Sequence, residues 1–304
     1  MSDSGGSRAV VAALLANLGI AVSKFAAFFF TGSSSMLSEG LHSVADSGNQ
    51  VLLIVGRKRA QRAATEEHPF GYGRSRYVYA FIVSIVLFSL GGVFALIEGA
   101  LKIARPEELK SPLWAFGVLI VAIALEAFSL RTAVQESNRV RAGVPWGRFI
   151  RGAKAPELPV VLLEDTGALL GLILALFGVT AAVLTRDGRW DGAGSLGIGA
   201  LLVLIAVFLA LEMNSLLIGE SGTAEHVAAI RKAIEAGADV ERIIHLKTLH
   251  LGPDNLMVVG KIAVRHDETA TSVARAIDAA ESRIRAAVPI ARVIYLEPDI
   301  LRFR

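Results

Sequence analysis

Six stretches of this chain are long and apolar enough to cross a bilayer, and nothing else in it restricts the fold as strongly. A bilayer core takes about 20 mostly apolar helical residues. The stretches Ala9 to Phe30, Ser35 to Gly56, Val78 to Ile103, Pro112 to Val134, Pro159 to Leu184 and Gly194 to Ile218 all qualify, the second being the most polar. Proline sits at or near the start of spans four and five, where a missing amide donor costs least. The first run is too long for a signal-peptide core and no clear cleavage site follows it, so it reads as a retained span. Composition agrees: 53% of the residues are hydrophobic, 19% are charged and the mean hydropathy is +0.54, against about a quarter charged in soluble domains. That balance excludes a single soluble enzyme, intrinsic disorder and collagen. The absence of cysteine excludes a disulfide scaffold, a thiolate metal site and a cysteine nucleophile. A net charge of +3 is too small to imply a nucleic-acid partner. No internal repeat or low-complexity segment stands out.

Lysine and arginine set the expected orientation. Arg57, Lys58, Arg59, Arg62, Arg74 and Arg76 follow span two, and Arg131, Arg139, Arg141, Arg148, Arg151 and Lys154 follow span four. The alternate connections are poorer: Thr31 to Ser34 has no basic residue, the third-to-fourth has Lys102, Arg105 and Lys110, and the fifth-to-sixth has Arg186 and Arg189. Both basic loops are therefore expected in the cytoplasm, and an even number of spans places both termini there.

Charge returns after about residue 220, so the chain reads as a membrane domain over 1–220 and a soluble domain over 221–304. Thr223 to Ala236 has helical periodicity, with Val227, Ile230 and Ile234 on one face. Val240 to Leu251 and Leu256 to Val264 read as strands joined by the turn Gly252-Pro253-Asp254-Asn255. Thr269 to Val288 is an alanine-rich helix and Arg292 to Leu296 a last strand, which completes an αββαβ order.

Ionisable groups inside a span are costly and mark function. Span two carries Glu39, His42 and Asp46 at spacings of three and four, hence on one helical face, and Asn49 continues the stripe. A histidine and a carboxylate at i and i+4 can grip one cation from a single helix. Neutral imidazole with carboxylate suits Zn2+, with Mn2+, Fe2+ and Co2+ as alternatives. The competing reading is a polar seam that packs helices together. Span five holds Glu164 and Asp165, whose side chains point about 100° apart. One is expected to be a ligand while the other supports it or carries a proton; the alternative is the wall of a water-filled cavity. Glu126 in span four either reaches the cavity or pairs with an arginine, and Glu98 in span three is expected at the interface. Asn17 reads as an interhelical donor, and Gly167 with Gly171 as a close-packing face.

These residues carry a resemblance. The chain resembles the cation diffusion facilitators, antiporters for zinc and related divalent cations, over nearly its whole length. Leu41-His42-Ser43-Val44-Ala45-Asp46 is similar to the family's HxxxD or DxxxD, and His68-Pro69-Phe70-Gly71-Tyr72-Gly73-Arg74 to its H-x-F-G-H-G-[KR]. Asp165 stands at the second acidic position, and Leu251-Gly252-Pro253-Asp254 looks like the family's tail turn. Val161 stands where most members have histidine or aspartate, and Glu164 is the natural substitute. Tyr72 replaces the second histidine of the loop, so His68 is expected to hold the loop fold rather than a metal. Leu296 stands where relatives often place histidine, and a tail metal cluster is expected to be lost or reduced. His245, His250, His266 and Asp267 are then expected chiefly as solvated surface groups.

The resemblance implies an all-α six-helix transmembrane domain followed by a ferredoxin-like α+β cytoplasmic domain, in a homodimer of a bacterial inner membrane or its equivalent. It implies export of a divalent cation against protons, with His42, Asp46, Asp165 and Glu164 as the metal site and Glu39, Asn49, Glu126 and His68 as accessories. No resident cofactor is expected. Metal binding needs deprotonated ligands, so metal and protons compete for one set of groups, and an unperturbed histidine titrates near neutral pH. Two rivals are a metal sensor or scaffold that no longer transports, and a membrane metallohydrolase. The latter lacks the HExxH pair such enzymes use.

Overall fold

The computed structural model describes residues 3–31, 34–106, 112–265 and 268–299, with the side chains of 3–5, 31, 34–39, 41 and 42 outside that description. The chain divides into two compact units: Met1–Lys58 with Arg76–Asn214, and Arg59–Ser75 with Ser215–Arg304. The second unit thus takes in a loop that the sequence reading left within the membrane domain.

The first unit is helical: α1 (Asp3–Thr31), α2 (Ser34–Ala60), α3 (Ser75–Val86), α4 (Phe94–Ala104), α5 (Pro112–Arg141), the short α6 (Trp146–Gly152), α7 (Glu157–Thr185) and α8 (Arg189–Ile218). Helices α1, α5 and α7 pack on one another. Between α3 and α4 runs a π-helical segment, Leu87–Val93, which keeps Ser75–Ala104 one continuous rod. Its local causes are visible: Ser89 donates its hydroxyl to the carbonyl of Ile85 at 2.8 Å, and Gly91-Gly92 has little intrinsic preference for a regular α-helix.

Among the described residues, five helices are long and apolar enough to cross a membrane: Gly6–Phe30, Ser75–Ala104, Pro112–Arg141, Glu157–Thr185 and Arg189–Ile218. The expected second span is not one of them. Helix α2 has 27 residues, or about 40 Å at 1.5 Å per residue, which is ample length. The side chains of residues 34–39, 41 and 42 of α2 lie outside the described residues, and the rest of the helix carries Asp46, Arg57, Lys58 and Arg59.

Close approach locks the far end of this bundle. A Cβ on Gly99 would lie 2.7 Å from the backbone nitrogen of Leu196, and one on Gly199 would lie 2.7 Å from that of Leu96. Small residues let α4 and α8 touch backbone to backbone. Gly167 and Gly171 face Ile205 and Ile198 of α8, as their spacing predicts. At the other end, Arg76 donates to both carboxylate oxygens of Glu157 at 2.5 and 2.7 Å, and both residues are buried.

The second unit has the expected αββαβ order: α9 (Ala224–Glu235), β1 (Arg242–Gly252), β2 (Asn255–Ala263), α10 (Ala270–Ala287) and β3 (Ala291–Asp299). Strands β1 and β2 form an antiparallel hairpin closed by Gly252 opposite Asn255, and β3 lies parallel to β2. Thr223 and Thr269 cap the two helices by accepting from the backbone amides of His226 and Ser272. Ile230, Ile234, Leu256, Val258, Ile262 and Ile284 are at the centre of the core.

The loop motif folds onto the hairpin turn of this unit. The His68 amide donates to the Thr65 hydroxyl at 3.1 Å, and its carbonyl accepts from Gly71 at 2.9 Å. Gly71 has φ +78°, a conformation that favours glycine. Gly73 then passes so near the turn that a Cβ would lie 2.6 Å from the Leu251 carbonyl oxygen.

Candidate cation site

A cavity of about 220 Å³ runs through the helical unit, and Asp46, Glu126, Glu164 and Asp165 all line it. They come from α2, α5 and α7, so the sequence-predicted acids of three separate helices meet in one space. Glu126 lies within electrostatic reach of Asp165, Asp46 and Lys24, and Glu164 within reach of Asp46, Asp165 and Glu126.

Each carboxylate of α7 is positioned by a neighbour. Asp165, 2% exposed, accepts from the Ser129 hydroxyl at 2.6 Å. Ser129 is three residues after Glu126, so one face of α5 presents both to α7. Glu164 is held at both oxygens: Asn49 donates to one at 2.9 Å and Gln50 to the other at 3.1 Å. Gln50 in turn accepts from Asn17 of α1 at 3.3 Å, which gives Asn17 its expected interhelical bond. The side-chain Oδ1 of Asn49 is buried and has no hydrogen-bond partner, so it is a further hard oxygen donor beside the carboxylates.

His42 and Glu39 belong to α2, and their side chains lie outside the described residues. Among the described residues, no three histidine, aspartate or glutamate side chains are arranged to hold a metal ion. Val161, the departure in the span-five pattern, is fully buried.

Glu98 takes part in an ion-pair network. Lys102 bridges it at 3.0 Å and Asp191 of α8 at 2.9 Å, and all three line the same cavity. Lys24, Gln50, Ser129 and Asp191 were missed at the sequence level. Ser129 was findable, because Glu126, Ser129, Ala133 and Glu136 form one helical stripe, buried throughout.

His68 belongs to the second unit. Its ring meets Tyr72 edge-on at 4.6 Å, and it lines a cavity of about 410 Å³ with Phe70, Arg74, Leu249 and Met257. His245 is exposed, as expected. His250 corrects the expectation of a surface group: it is 1% exposed, with Nδ1 at 3.1 Å from the Gly252 carbonyl. A register shift between His250 and Gly252 accompanies this inward position. His266 and Asp267 lie outside the described residues.

Membrane-length helices around an acid-lined cavity define a polytopic integral membrane protein. The chain belongs to the cation efflux family, whose transmembrane domain matches residues 10–218; this is a family of transporters, not of enzymes. It is 33% identical over 231 residues to the human "Proton-coupled zinc antiporter SLC30A9, mitochondrial", covering 75% of this chain and 41% of that protein. It is 27% identical over 264 residues to "Metal tolerance protein C4" of Arabidopsis thaliana, covering 86% and 58%. It is 23% identical over 265 residues to "Manganese efflux system protein MneP" of Bacillus subtilis (strain 168), covering 84% and 83%. The chain therefore spans less than two thirds of the length of the human and plant relatives.

Proposed function

We propose that this protein exports a divalent transition-metal cation, Zn2+ foremost, from the cytoplasm in exchange for protons. The observation that carries the reading is the convergence of Asp46, Glu126, Glu164 and Asp165 on one cavity within a helical bundle of the cation efflux family. Hydrocarbon disfavours such a cluster unless cations or water enter it. The cation is cargo. His42, Asp46 and Asp165 are its direct ligands, and Glu164 contributes an oxygen or holds the site through Asn49 and Gln50. Imidazole with carboxylate ranks Zn2+ first, and Mn2+, Fe2+ and Co2+ as harder-donor alternatives. The human relative's name supports zinc and proton coupling, and the Bacillus relative's name supports manganese as the alternative.

Protons and metal compete for these ligands, so a site that opens alternately to the two sides exchanges one for the other. In this reading both termini face the cytoplasm, the helical unit works as a homodimer, and the C-terminal unit serves dimerisation. Purified protein in liposomes with an imposed pH gradient tests it over Zn2+, Mn2+, Fe2+ and Co2+. Gradient-driven uptake with Zn2+ preferred is expected. Metal binding without uptake would make the protein a sensor or scaffold and overturn the export reading.

A further inference from the structure

Lys24 lies within the first apolar run, yet it is only 8% exposed and lines the same cavity as the four acids. Its ammonium donates to the Ser43 hydroxyl at 3.1 Å. Ser43 is one helical turn before Asp46, so the contact holds the charge on the Asp46 face of α2. From α5, Glu126 lies within electrostatic reach of the same ammonium. The other lysine of the cavity, Lys102, is engaged at a distance along it by Glu98 and Asp191.

We propose that Lys24 is a tethered competitor of the transported cation and that it sets how tightly the acidic cavity holds its cargo. The inference rests on the cation-export reading. Four carboxylates in a poorly solvated space are hard to keep ionised without positive charge. Asn49, Gln50 and Ser129 bring only dipoles, and those serve Glu164 and Asp165. An ammonium on a flexible four-carbon stem supplies a full charge and can give way when a divalent ion enters. It also repels that ion, and transport needs binding weak enough for release. A site without Lys24 would bind metal more tightly and release it more slowly.

Lys24→Gln removes the charge and keeps a donor for Ser43, and Lys24→Arg keeps the charge. Calorimetry with Zn2+ on the purified full chain should show roughly tenfold or greater tightening in Lys24→Gln, given the strength of a nearby unit charge in such a medium. Lys24→Arg should stay within a few-fold of the wild type. In liposomes, Lys24→Gln should lower KM and maximal rate together. A purely structural lysine would not sharpen binding. An unchanged or weaker Kd in Lys24→Gln, or its failure to accumulate in the membrane, would overturn the proposal. A wild-type protein that binds Zn2+ but shows no uptake would overturn the export reading instead, and the calorimetric comparison would still decide the effect of Lys24 on binding.

Discussion

Arg76 grips Glu157 at two points, with 2.5 and 2.7 Å between donor and acceptor atoms, and both side chains are nearly removed from solvent. The pair joins the first turn of α3 to the first turn of α7. A buried ion pair adds little over well-packed apolar groups, but breaking it strands a buried charge. Glu157→Ala should therefore lower the stability of the purified protein by about 3–5 kcal/mol. The double change Arg76→Met with Glu157→Leu should cost less than Glu157→Ala alone. Thermal unfolding in detergent reads both, and a double variant worse than the single would show that the charges themselves stabilise the fold.

The two acids of α7 should separate in function. Asp165→Ala should reduce uptake to that of protein-free vesicles, because it removes the proposed ligand whose carboxylate Ser129 holds. Glu164→Gln keeps the shape but replaces an acceptor that now takes two amide donors. It should slow transport or move its pH dependence without abolishing it. Wild-type transport by Glu164→Gln at every pH would leave Asp165 as the only contribution of α7.

On α2, Asp46→Ala should abolish uptake while the protein still accumulates, since Asp46 lines a cavity rather than filling a core. His42→Ala should behave alike. Membrane abundance and vesicle flux, measured together, separate loss of function from loss of fold.

Gly73→Ala places a methyl group 2.6 Å from the Leu251 carbonyl oxygen, a backbone atom with little room to yield. It should destabilise the C-terminal unit by about 1–3 kcal/mol, the usual range for overpacking. Gly147→Ala, which meets nothing within 4 Å, should be close to neutral. Equal melting temperatures for the two would remove the steric role of Gly73.

For the tail histidines, His245→Ala should leave zinc binding by the whole protein unchanged, since that ring is exposed. His250→Ala should act on stability instead, by about 1–3 kcal/mol, through a buried carbonyl left without its partner. Calorimetry beside a melting curve distinguishes the two effects.

Much of this was legible because hydrophobic length and helical spacing are local properties. The apolar runs, the αββαβ order and the acids of spans two, four and five are each visible within a dozen residues. What escaped depends on partners distant in sequence. Asn49 and Gln50 meet Glu164 more than a hundred positions away, and a lone lysine in an apolar run gives no hint of what it faces. His250 misled because a register shift near the turn upsets the alternation of strand faces.

The π segment has a consequence for angular phase. Up to Gly91, the buried positions Tyr77, Ala80, Ser84, Leu87 and Gly91 follow alternating steps of three and four. From Gly92, within the segment, to Gly99, the buried positions run one residue out of step with that series. The extra residue therefore works as a phase shifter, turning the C-terminal half of the rod by roughly 100° relative to a plain α-helix. Deleting any single residue of Leu87–Val93 would swing Gly99 off Leu196 and Lys102 away from Asp191. For this helix, the number of residues matters as much as their identity.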